Sequence, residues 1–88
     1  MRKELEILDY DVSKGIQLSW EDNFEIKVIQ EENEVLILAN TEGLISLAKH
    51  LLTLAQSEVP QGKHIHLDHY NSLEMGSIDL IIEKSNGG

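Results

Sequence analysis

The residues best suited to chemistry fall within Gly62-Lys63-His64-Ile65-His66-Leu67-Asp68-His69. In an extended strand His64, His66 and Asp68 project to one face, because successive side chains alternate. Imidazole and carboxylate groups at that spacing can ligate zinc or iron. A metal site needs a third ligand and usually a fourth. Asp68 is within reach, whereas His69 points the other way and His50 falls in a helical segment on the opposite side of the sheet. The segment therefore assigns no metal and no cofactor by itself, and its plainer account is a polar strand face with solvated imidazoles. Histidine is also a common general base, with Ser72 and Ser77 as the nearby hydroxyls, but neither serine sits in a nucleophile elbow. Gly15, Gly43, Gly62 and Gly76 are isolated, so no phosphate-cradling loop is present. The chain has no cysteine, which removes thiolate ligands, thiol nucleophiles and disulfides. No catalytic residue is assigned, and the chain is not expected to be an enzyme.

A second set of residues is suited to binding rather than catalysis. Sixteen Asp and Glu against seven Lys and Arg give a net charge of -9. Nucleic acid and anionic membrane surfaces are held chiefly by Lys and Arg, so neither is an expected partner. A cationic protein surface is favoured, because opposite fields steer encounter. The same charge also serves plain solubility. It is unevenly spread: residues 1–44 hold four basic and eleven acidic residues, and residues 45–88 hold three and five. The densest stretch includes Glu21, Asp22, Glu25, Glu31, Glu32 and Glu34 against Lys27 alone. Trp20 opens it. Its alternation with Ile16 and Leu18 makes it a core residue, and its residue type makes it a candidate interface anchor.

The elements that must position these residues follow from periodicity. Strands are expected over Glu4–Tyr10, Ile16–Trp20, Phe24–Val28 and Val35–Ala39, with turns at Asp11–Gly15, Asp22-Asn23 and Glu31–Asn33. The run Val35-Leu36-Ile37-Leu38-Ala39 is apolar at every position, which predicts a central strand buried on both faces. Asn40 or Thr41 is suited to cap a helix whose apolar positions are Leu44, Leu47, Ala48, Leu51 and Ala55, widened by Ile45, Leu52 and Leu54. Pro60 and Gly62 stop it. Two more strands, Lys63–His69 and Ser77–Lys84, complete the order ββββαββ. The expected fold is α+β, an antiparallel sheet of about six strands with one amphipathic helix on one face. Residues 1–84 are expected to form a single domain and 85–88 a loose, glycine-rich tail.

That architecture leaves a surplus. A helix about 10–12 Å across cannot cover six strands spaced about 4.8 Å apart. Leu8, Ile29 and Ile81 also oppose the apolar phase of their own strands. Sheet twist would hide some of this surface, and a homodimer or a protein partner would cover the rest. The longest apolar run is far short of the roughly 20 residues of a membrane span, and the acidic residues near the N-terminus resemble no signal peptide. A cytoplasmic location is expected.

From Ala39 onward the chain resembles the immunity protein 32 family of bacterial polymorphic-toxin systems. The residues that carry the resemblance are Ala39-Asn40, Gly43-Leu44, Leu47-Ala48, Leu51-Leu52 and Leu54-Ala55. They continue through Pro60, Gly62 with His64-Ile65-His66-Leu67-Asp68, Leu73, and Gly76-Ser77 before Leu80-Ile81-Ile82. The leucine spacing is that of any amphipathic helix, and the Gly-x-His-x-His-Leu-Asp segment followed by Gly-Ser is the more specific part. The resemblance implies an α+β fold and a non-enzymatic role, the neutralisation of a cognate toxin by binding. In that role Trp20, Glu21, Asp22, Glu25, Glu31, Glu32 and Glu34 are the candidate toxin-binding residues, and His64, His66 and Asp68 are motif positions of open role. The alternative is a small metal- or ligand-binding regulatory module using the His64, His66 and Asp68 strand.

Overall fold

The computed structural model describes residues 1–85, so residues 86–88 of the expected tail lie outside the described part. The fold is α+β, but the sheet is not one of six strands. Among the described residues four strands form two separate antiparallel pairs around one helix. Strand β1 (Ile26–Glu31) pairs with β2 (Glu34–Ala39), and β3 (His64–Leu67) pairs with β4 (Leu80–Glu83); helix α1 (Thr41–Ala55) lies between the pairs in sequence.

The segments Glu4–Tyr10 and Ile16–Trp20 are not strands. The outer edge of β1 is already taken, so the arm does not extend the sheet on that side. There Glu74 N–H donates to the Ile26 carbonyl at 2.8 Å, and Ile78 N–H to the Val28 carbonyl at 2.9 Å. Ser77 Oγ accepts from Val28 N–H at 3.0 Å. The N-terminal arm instead bonds its backbone to side chains of α1 and of Gln56, the residue that caps the helix C-terminus. Tyr10 N–H donates to Gln56 Oε1, Gln56 Nε2 donates to the Leu8 carbonyl, and Glu21 N–H donates to Ser46 Oγ. Tyr10, Ile16, Leu18 and Trp20 pack from this arm onto the core of Ile26, Val28, Leu54, Val59, Ile65, Leu67 and Leu73.

Asn40 is the N-cap of α1, as its side chain predicts. Its Oδ1 accepts from Gly43 N–H at 2.8 Å and from Glu25 N–H at 2.9 Å, and its Nδ2 donates to the Asn23 carbonyl at 2.9 Å. One side chain thus ties the start of the helix to the start of β1. Gly43 lets the two approach: a Cβ there would stand 2.4 Å from the Glu25 carbonyl oxygen.

Two further expectations are overturned. β2 is not central; it is an edge strand whose residues from Glu34 to Leu38 are all exposed. The helix also presents the other side to the interior. Its buried residues are Gly43, Ser46, Lys49, His50, Thr53 and Leu54, while Leu44, Leu51 and Leu52 are exposed. The reason is the arm, whose backbone and Glu21 side chain need polar partners that only the Ser46–Lys49–Gln56 side of the helix supplies. By contrast β3 follows its sequence pattern: Ile65 and Leu67 are buried, and His64 and His66 are exposed.

Candidate functional site

The acidic stretch divides into an anchored part and a free part. Trp20 is half-buried, stacked on Phe24 with ring centroids 4.4 Å apart and edge-on to His50 at 4.2 Å. Glu21 Oε2 lies 3.2 Å from Lys49 Nζ, so this carboxylate neutralises a buried lysine. Asp22, Glu25, Glu31, Glu32 and Glu34 are exposed. Glu31, Glu32 and Glu34 line a shallow recess together with Asn33 at the tip of the β1–β2 hairpin. Glu25 stands at the far end of β1, beside a recess that also takes in Lys27, Leu38 and Met75. The carboxylates therefore flank the exposed apolar strand at both ends and do not form one patch.

His50 is a residue that sequence reasoning assigned no role. It is 1% exposed, and neither ring nitrogen has a hydrogen-bond partner among the described residues. Burial, with the adjacent Lys49 charge adding to it, lowers its pKa to about 4, so the ring is neutral at physiological pH. The available signal was its spacing, since residues 43, 46, 50 and 53 follow one helix face.

At the second sheet the structure joins His66 and Asp68, as strand alternation predicts, and adds Asp79. His66 Nε2 lies 2.8 Å from Asp79 Oδ2 and 4.0 Å from Asp68 Oδ2. One potential ligand atom from each residue falls within 4.8 Å of the others. Asp79 falls inside the expected strand Ser77–Lys84, and only the register between the strands ties it to the histidines: with His66 opposite Ile81, Asp79 lies diagonally across from His66. His64 lies opposite Glu83, outside this group. His69 stacks against Tyr70.

Asp68 also has a plain structural task. Its Oδ1 accepts from Tyr70 N–H and Asn71 N–H, and Asn71 in return bonds Asp68 N–H and the His66 carbonyl. This closes the turn after β3 and fixes the Asp68 carboxylate beside His66. The Asp11 carboxyl is held below its usual range by Ser13, whose hydroxyl and backbone N–H both donate to it.

What the fold and these sites define is a small, acidic α+β protein. The family model described as Immunity protein 32 matches residues 34–85, more than half of the chain, and the chain belongs to that family. The match runs from the first residue of β2 to the second residue after β4 and includes His64, His66, Asp68 and Asp79. It excludes the N-terminal arm, Trp20 and most of the acidic stretch. No curated protein and no solved structure matches the chain. Among the described residues no helix is long and apolar enough to cross a membrane.

Proposed function

We propose that this chain is a cytoplasmic, non-enzymatic antidote that neutralises a cognate toxin of a bacterial polymorphic-toxin system by binding it. Membership of the immunity protein 32 family is the observation that carries this reading. The net charge of -9 supports a basic toxin surface as the target. Asp22, Glu25, Glu31, Glu32 and Glu34 are the contact residues best placed for it, being exposed and largely outside the family match. Trp20 and Glu21 support that surface from below through Phe24, His50 and Lys49.

The test is co-expression with each toxin candidate encoded by a neighbouring gene, followed by measurement of growth rescue and direct binding. Rescue with a stable complex is expected, and replacing Glu31, Glu32 and Glu34 by Gln should slow association about tenfold at low salt. Absence of both rescue and complex removes the reading. A second reading, a divalent-cation module, draws on the proximity of His66, Asp68 and Asp79. Elemental analysis of untagged protein decides it: stoichiometric zinc or iron lost in His66→Ala supports a cation site, and metal-free protein rejects it.

A further inference from the structure

We propose that two copies of this chain pair through the free edge of β2, making one four-stranded antiparallel sheet about a two-fold axis at Ile37. The backbone phase of the hairpin sets this up. Asn40 N–H donates to the Glu25 carbonyl at 3.1 Å, so Glu25 and Asn40 are a hydrogen-bonded pair. Bonded pairs recur every second residue, which makes Lys27 with Leu38, Ile29 with Leu36, and Glu31 with Glu34 the pairs bonded within the hairpin. The N–H and C=O groups of Val35, Ile37 and Ala39 must then point away from β1, into the open edge. Among the described residues no strand other than β1 pairs with β2.

The side chains agree with the backbone. Val35, Leu36, Ile37 and Leu38 are each between 42% and 58% exposed. An isolated edge strand is usually guarded by lysine, proline or a bulge, and between Val35 and Ala39 there is no such guard. Four successive exposed aliphatic residues on a bare edge would promote uncontrolled aggregation unless something covers them permanently. A second copy is available whenever the chain is made, whereas a toxin is not.

Symmetry and charge select the register. A two-fold axis through Ile37 sets Ile37 opposite its own copy and Val35 opposite Ala39 of the second copy, so the outward groups of all three residues find partners. Leu36 then stands opposite Leu38 of the second copy, an apolar pair on the other face. Glu34 lies beside the neutral Asn40 of the second copy. The two acidic turns, each with Glu31, Glu32 and Glu34, fall at opposite ends of the joint. Six residues at about 3.4 Å place the two Glu34 positions about 20 Å apart, more than two screening lengths at physiological salt. Glu25 of the second copy is two strands from Glu34, about 10 Å away, which is also beyond one screening length. The charge of -9 per chain thus leaves the centre of the joint uncharged, and a parallel pairing would instead bring the two acidic turns together. In the antiparallel arrangement both helices lie on one face, with Val35 and Ile37 in the trough between them.

Sedimentation velocity of the full chain, without any toxin, tests the proposal from submicromolar to hundreds of micromolar concentrations. The expected species has twice the 10.0 kDa chain mass. Ile37→Lys should weaken self-association about a hundredfold, because the symmetric joint would bury two unpaired ammonium groups. The chain has no cysteine, so Ile37→Cys supplies a single thiol. A short bismaleimide should link two such chains, and should not link Ile81→Cys, whose residue on β4 is the more exposed of the two. This arm stands even if the lysine variant fails to fold. A monomer at every concentration overturns the proposal, as does a dimer linked through position 81 and not through position 37. Because no toxin is present, either result leaves the neutralisation reading untouched.

Discussion

The strands of the first hairpin carry eight apolar residues and those of the second five, yet it is the first that leaves a whole strand uncovered. In β3 apolar and polar residues alternate, so it buries Ile65 and Leu67 while exposing both histidines, and in β4 Leu80 and Ile82 are half-buried while Ile81 and Glu83 are exposed. In the first hairpin β1 buries Ile26 and Val28, and β2, the more apolar of the two, is left outside. Alternation tells a strand which face to bury. A continuous apolar run carries no such instruction, and its fate depends on what remains to cover it. Here the core beneath the first hairpin is filled by β1, the arm and the polar side of α1, so β2 overhangs.

The sharpest way to break this comparison is to truncate one residue in each strand. Ile26→Ala removes a fully buried side chain that touches the helix start, and should cost about 3–4 kcal/mol in urea unfolding. Ile37→Ala, measured at concentrations where the chain is monomeric, should cost less than about 1 kcal/mol. Equal losses would mean that β2 is buried after all.

The same contrast holds within α1, where the polar side is inside and Leu44, Leu51 and Leu52 are outside. His50 measures how firmly that orientation is held. Its folded pKa, about 4, lies below the ordinary 6.5, so the unfolded chain takes up the proton first as pH falls. The stability tied to a neutral His50 is complete above about pH 6.5 and is lost progressively down to about pH 4. The full loss is about 3 kcal/mol. Melting temperatures across this range should show the decline, and His50→Leu should remove it. If the variant keeps the same pH dependence, the imidazole is not held in the interior.

Legibility followed the same division. The helix start, with Asn40 as one of two cap candidates, and the alternation of β3 were plain in the sequence, because capping chemistry and period-two patterns are local; the helix ends at Ala55, ahead of the Pro60 and Gly62 expected to stop it. The positions of Val35–Ala39 and of the leucine side of α1 were not. Each is a question of competition for cover, decided by Glu74–Ile78 occupying the β1 edge and by Glu21 seeking Ser46 and Lys49. At the candidate sites, shared faces were legible for His66 and Asp68, while Asp79 required the register across thirteen residues. The carboxylates of the acidic stretch were visible as types, but their separation between the two ends of the hairpin depends on the strand that intervenes.

A smaller effect probes the joint between the helix and the first hairpin. Asn40→Ala deletes the acceptor shared by Gly43 and Glu25 and the donor to Asn23. A loss of about 1–2 kcal/mol is expected, with amide exchange rising first at Glu25 and Gly43. Asn40→Asp keeps the acceptor and should recover much of that loss. If the aspartate is as damaging as the alanine, the cap is not what joins the two elements.

The smallest effect belongs to the second hairpin and asks whether its histidine pair is a structural clasp. His66 and Asp79 meet at 2.8 Å, but their side chains are 43% and 57% exposed. Water and salt screen such a pair, so Asp79→Asn should change unfolding free energy by less than about 1 kcal/mol. The turn at Asp68 is held independently by Asn71 and by backbone N–H groups, which leaves the pair little folding work to do. A loss well above that figure would make the pair a structural tie between β3 and the approach to β4. The small loss expected here leaves the geometry of His66, Asp68 and Asp79 unexplained by stability, and zinc titration of wild type against Asp79→Asn would then show whether those three side chains act on a cation together.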